Sequence, residues 1–112
     1  MAIGEAAAQA NLALATAWLE ARARGDRDRM LSLTDVEATF RRTGERKHRG
    51  SEAVDEALAS IEAGVEPALI AIVPDGPFAT ATVAGGRGFE TWRLRIVDGL
   101  VGDVIVDPDP FA

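Results

Sequence analysis

From Gly64 onward every segment of the chain reads as a β-strand closed by a turn signal, whereas three of the segments before it read as helices. That change of period admits few architectures. Four successive strands with short connections make an antiparallel meander, and the helices that precede them have one face of it to cover. Ala68 to Val73 is a nearly continuous apolar run, which predicts a strand buried on both faces. Pro74-Asp75-Gly76-Pro77 turns the chain into a strand over Phe78–Ala84, and Gly85-Gly86 begins the next connection. Phe89–Val97 is a long strand with Glu90, Trp92, Leu94 and Ile96 on one face and Thr91, Arg93 and Arg95 on the other. Asp98-Gly99 is the dipeptide of a type I′ hairpin. Leu100–Val106 is the last strand, ended by Asp107-Pro108-Asp109-Pro110 because proline cannot continue a ladder.

The first half supplies the cover. Glu5–Arg24 is built from Ala, Leu, Glu, Gln and Arg, with Leu14, Trp18 and Ala21 on one helical face, and Gly25 stops it. Asp26 caps a short helix, Arg27–Leu33, which the turn signal Thr34-Asp35 closes. Val36–Arg42 then switches to period two, placing Val36, Ala38, Phe40 and Arg42 on one face. Thr43-Gly44-Glu45 is a turn, and Arg46–Arg49 a short returning strand. Ser51 is the expected N-cap of a third helix whose apolar stripe is Ala53, Val54, Ala57, Leu58 and Ile61, with Gly64 as its stop. The expectation is one α+β domain over residues 1–112, with three helices of the N-terminal half packed on a curved antiparallel sheet that forms a cone.

Composition removes several functions. No cysteine is present, so disulfides, thiolate zinc and a cysteine nucleophile are excluded, and a cytoplasmic location is expected. The net charge of −6 argues against nucleic acid, and no segment is apolar enough to be read as a membrane span or signal peptide. Charge is unevenly spread: residues 22–49 carry nine Lys/Arg against five Asp/Glu, while the rest of the chain is strongly acidic. This basic stretch is either a solvated rim or the field of a site for anionic ligands. One histidine with scattered carboxylates gives no metal spacing, and no metal or cofactor is expected. Gly85-Gly86-Arg87-Gly88 joins two strands without a following helix, so it is no phosphate loop. His48 stands among cations in Arg46-Lys47-His48-Arg49 and reads as an exposed loop residue before it reads as a base.

Trp18-Leu19-Glu20-Ala21-Arg22-Ala23-Arg24-Gly25-Asp26, Arg49-Gly50-Ser51-Glu52-Ala53-Val54 and Trp92-Arg93-Leu94-Arg95-Ile96-Val97-Asp98-Gly99-Leu100-Val101 together resemble the nuclear transport factor 2-like superfamily. Within it, the resemblance is to the SnoaL-like polyketide cyclases and the ketosteroid isomerases. It implies a cone with a pocket between the helices and the concave face. Aligned through Gly25-Asp26, the isomerase's tyrosine position falls on Trp18, its base on Arg42 and its second acid near Glu90. An indole is a poor acid and an arginine does not abstract protons, so steroid-type isomerisation is not expected. A cyclase-like role would fall to Glu90 as the catalytic acid, unless Glu90 is paired with Arg42. Trp18, Phe40, Arg42 and Trp92 are the expected ligand-binding residues, for a small apolar or anionic ligand. The leading expectation is a small-molecule pocket protein with cyclase, isomerase or hydrolase chemistry. The alternative is a non-enzymatic module that dimerises through its sheet and binds a ligand or protein. A homodimer is expected in either case, because the last two strands offer apolar residues on both faces.

Overall fold

The computed structural model describes residues 2–61, 67–85 and 88–108. Its elements are α1 (Ala2–Ala23), α2 (Arg27–Ser32), β1 (Thr34–Arg42), β2 (His48–Arg49), α3 (Ser51–Ala59), β3 (Ala68–Asp75), β4 (Phe78–Gly85), β5 (Gly88–Val97) and β6 (Leu100–Pro108). The six strands form one curved, unclosed sheet in the order β2-β1-β6-β5-β4-β3. The stop assigned to Gly64, the connection at Gly86 and the closing Asp109-Pro110 lie outside the described residues.

The helix ends obey local rules. α1 closes in a Schellman arrangement: Gly25 has φ +70°, its N–H donates to Arg22 O and the Asp26 N–H donates to Ala21 O. Asp26 then accepts from the Arg29 N–H at 3.1 Å and starts α2. α3 departs from expectation: its N-cap is Gly50, not Ser51, at φ 62° and ψ −135° with no side-chain cap. This backbone region is open to glycine alone, and it lets the chain turn from β2 directly into the helix.

The sheet is mixed rather than antiparallel throughout. β3 to β6 form the expected meander, but β1 runs parallel to β6. The long stretch between β1 and β6, which includes α3 and the rest of the meander, makes that parallel pairing possible, since it needs a long crossover. The β1 register shifts between Thr34 and Thr39. Asp35 accepts from the Glu37 N–H within this irregularity, and the period-two assignment of Val36 fails there. Val36 is 89% exposed, while Ala38 and Phe40 are buried as expected. β3 is also not buried on both faces. It is an edge strand, with Ile70 and Val73 exposed and only Leu69 and Ile72 packed on the core.

The core fills the concave side. Trp18, Leu19 and Ala21 of α1, Met30 of α2 and Val54 and Ala57 of α3 close on Phe40, Ala79, Ala81, Trp92, Leu94, Val104 and Val106. The indoles of Trp18 and Trp92 lie 6.2 Å apart, and Phe40 lies 5.7 Å from Trp92, all at tilted angles. The convex face does not present the expected apolar patch on β5 and β6. It carries cross-strand charge pairs, Arg95 with Asp103 at 3.4 Å and Arg93 with Asp107 at 4.0 Å. Thr39 donates to Asp103 at 2.6 Å, and Thr43 donates to Asp107. Among the described residues, no helix is long and apolar enough to cross a membrane.

Candidate functional site

Sheet register dictates which polar groups reach the concave face. Arg42 stands opposite Val106, and Val106 stands opposite Trp92. Both of those partners are fully buried, so Arg42 points inward. Glu90 precedes Trp92 by two residues and shares its face. The two charges therefore meet across β6: Arg42 Nη1 donates to Glu90 Oε2, with each side chain about one-quarter exposed. Trp92 Nε1 approaches the other carboxylate oxygen at 3.4 Å. Glu90 is thus an acceptor for a guanidinium and an indole.

The same register logic places His48. The β1–β2 turn is centred near Gly44, which pairs Phe40 with His48 directly across the ladder. Phe40 is buried in the core, so its cross-strand partner shares the inward face. His48 is a half-buried strand residue, not an exposed loop residue, with its side chain 14% accessible. α3 then brings Glu52 and Glu56, one turn apart, against the ring. Nδ1 of His48 lies 2.5 Å from Glu52 Oε1, and Nε2 lies 3.8 Å from Glu56 Oε2. Arg46 also donates to Glu52 Oε1 at 3.0 Å. The hydrogen bond from His48, aided by the charge of Arg46, holds the Glu52 carboxyl below its usual range.

Between this hairpin and α3 opens a cavity of about 570 Å³, walled by Phe40, Arg42, Glu45, Arg46, His48, Glu56, Ala59 and Ser60. That volume suits a small organic ligand. Of the expected ligand-binding residues, Phe40 and Arg42 are in the wall. Trp18 and Trp92 are packed in the core behind Phe40, 2% and 0% exposed. Trp18 has a structural bond as well: its Nε1 donates to Thr34 Oγ1 at 2.9 Å, and Thr34 passes the bond on to Met30 O. Glu90 is not among the wall residues and meets the cavity through Arg42.

Arg22 is the residue that sequence reasoning missed. It is 3% exposed and stacks its guanidinium 4.1 Å over the Trp92 ring. Nε donates to Ala57 O and Nη2 to Ser60 Oγ, both at 2.9 Å. None of its hydrogen bonds among the described residues is to a carboxylate. Burial pushes its pKa down to about 10, with Glu90 opposing that shift and Arg42 adding to it. The available signal was positional: Arg22 follows Trp18 by one helical turn, on the buried stripe. Ser60, which receives the Arg22 bond, is itself part of the cavity wall. Among the described residues, no group of His, Asp and Glu is arranged to hold a metal ion.

No protein-family model matches the sequence, and no curated protein matches it. Solved structures do match. A proposed ketosteroid isomerase from Kribbella flavida has a TM-score of 0.78 at 16% identity, covering 94% of this chain and 82% of that one. An epoxide hydrolase of the LEH-like kind from M. tuberculosis has a TM-score of 0.70 at 16% identity, covering 93% and 86%. An NTF2-like protein from Burkholderia xenovorans has a TM-score of 0.70 at 19% identity, covering 94% and 93%. At such identities the likeness is one of fold, and neighbours of different chemistry share it. The helices, the curved sheet and the cavity at its mouth give this chain the nuclear transport factor 2-like fold.

Proposed function

We propose that residues 1–112 act as one small-molecule-binding cone whose ligand has an apolar body and an anionic or oxyanionic group. The carrying observation is the 570 Å³ cavity walled by Phe40, Ala59 and Ser60 beside Arg42 and Arg46. Arg22 supports the reading: a buried guanidinium, whose hydrogen-bond partners among the described residues are neutral, stands behind Ser60 of the wall. In this reading Phe40 and Arg42 contact the ligand, and Trp18 and Trp92 set the wall from behind. Cyclase, isomerase or hydrolase chemistry belongs to the same proposal, supported by neighbours described as an isomerase and an epoxide hydrolase. Glu90, the catalytic candidate, is held by Arg42 and Trp92 and reaches the cavity through Arg42. Native mass spectrometry of the purified protein tests the binding claim. A retained small organic anion, lost in Arg42→Gln, is expected; a protein that carries nothing and binds no member of an aryl carboxylate panel contradicts it. The cysteine-free composition fits action in the cytoplasm.

A second reading, a dimerising module without catalysis, draws on a different surface. Ile70 and Val73 on the edge strand and Phe89 at the start of β5 are all about half exposed. Exposed large apolar side chains toward the β3 edge of the sheet favour association. We assign the homodimer contact to this edge, away from the charge pairs of β5 and β6. Sedimentation at micromolar concentration is expected to give a dimer that Val73→Lys converts to monomer; a monomeric wild type removes this reading.

A further inference from the structure

We infer that His48 and Glu52 form a proton-transfer pair serving the cavity, with His48 Nε2 as the base toward a C–H acid held there. The inference rests on the ligand-binding reading of the cavity and adds the chemistry. Three observations carry it. The ring of His48 is part of the cavity wall. Its Nδ1 faces the Glu52 carboxylate at 2.5 Å; an ionised carboxylate only accepts, so Nδ1 carries the proton and Nε2 keeps its lone pair in the neutral ring. Glu56 Oε2 lies 3.8 Å from Nε2, beyond hydrogen-bond distance, and among the described residues no hydrogen bond engages that nitrogen. An orienting carboxylate on one nitrogen of a ring that lines a cavity, with no hydrogen bond on the other nitrogen among the described residues, supplies the elements of a general base. Glu52 is the positioning residue, kept ionised and in place by its second bond from Arg46. Arg42, in the same wall, is a cation for negative charge that develops on the ligand.

The step is the removal of a proton from carbon. The C–H bond breaks, the proton passes to Nε2, and the electron pair moves onto an electronegative atom of the ligand. No oxidant, reductant or further reactant is needed. 5-Nitrobenzisoxazole reports such a base directly. Loss of its C3 proton makes the nitrile, breaks the N–O bond and places the charge on the phenolate oxygen of 2-cyano-4-nitrophenolate. Binding of that product anion is measured separately, by quenching of tryptophan fluorescence. The wild type is expected to bind the anion and to eliminate the benzisoxazole with saturation kinetics. His48→Gln is expected to lose about a hundredfold in kcat with anion affinity retained. Glu52→Gln is expected to lose part of kcat, and Glu52→Asp to recover some of it.

Because His48 is the sole histidine, its ring nitrogens give an unambiguous ¹⁵N signature. The neutral ring is expected in the Nδ1–H tautomer, shifting toward Nε2–H in Glu52→Gln. A merely structural Glu52 would leave that equilibrium unmoved, and such a result overturns its positioning role. If the anion binds but His48→Gln turns over like the wild type, the base assignment is overturned while the ligand-binding cavity stands. If the anion does not bind, both fall together.

Discussion

Two buried side chains show how this cone divides its interior between stability and function. Trp18 spends its indole N–H on Thr34 and its rings on Trp92. Trp18→Ala removes packing from a site with no exposure to relieve it, and a loss of about 3–5 kcal/mol is expected in chemical denaturation. Arg22 has the opposite character. Its folded pKa lies below the ordinary arginine value, so the charged form is disfavoured by folding and costs stability at neutral pH. That cost is relieved only as pH rises through about 10. Arg22→Met keeps the stem packing and removes the buried charge, while Ser60 still donates to Ala57 O at 2.7 Å. Its stability is expected to stay within about 1 kcal/mol of wild type, whereas affinity for aryl carboxylates falls at least tenfold. The residue stripe that carries Trp18 was legible in the sequence from helical spacing. Arg22 lies on the same stripe but is charged, and a charged residue on a helix is ordinarily read as solvated.

Among the elements, the most exposed to error was the one that matters most to the site. The Arg46–Arg49 stretch is too polar for pattern alone to place its faces. Its inward residue follows instead from turn geometry: with Gly44 at the centre, His48 must oppose Phe40. β1 misled in the other direction, since its alternation is broken by the register shift after Thr34, and such irregularities leave no mark on a period count. The parallel β1·β6 pairing was equally unmarked, because it is a long-range choice made by topology. Gly50 then links this hairpin to α3 at φ 62°, where an added Cβ would also sit 3.3 Å from Val36 O. Gly50→Ala is expected to cost about 1–3 kcal/mol and to weaken ligand binding by moving Glu52 and Glu56 relative to His48. Acid tests the packing of α3 independently. Hydrogen bonding to Arg27 lowers the Asp55 carboxyl, as hydrogen bonding from His48 lowers Glu52. Groups lowered in the fold contribute stability above the ordinary carboxylate range and lose it as pH falls through their folded values. The melting temperature of the wild type should therefore drop below about pH 4, with a shallower fall in Asp55→Asn.

At the scale of the whole molecule, the sheet separates two surfaces with different tasks. Its convex side ties β1, β5 and β6 together with threonines and paired charges. Its concave side is closed by tryptophans and α1 over most of its length and opens between β1, β2 and α3. The cone itself was legible from the order of elements and three short motifs; the location of its opening was not, because it depends on which aromatic rings pack and which line a wall. The central claim is that this opening is a ligand site for an anionic small molecule. An NMR titration of ¹⁵N-labelled protein with phenylacetate tests it most directly, with the neutral phenylacetamide as comparison. Saturable shifts confined to Phe40, Arg42, Arg46, His48, Ala59 and Ser60, at least tenfold weaker for the amide, are predicted. Shifts absent or scattered over the convex face, or equal affinity for acid and amide, would contradict it.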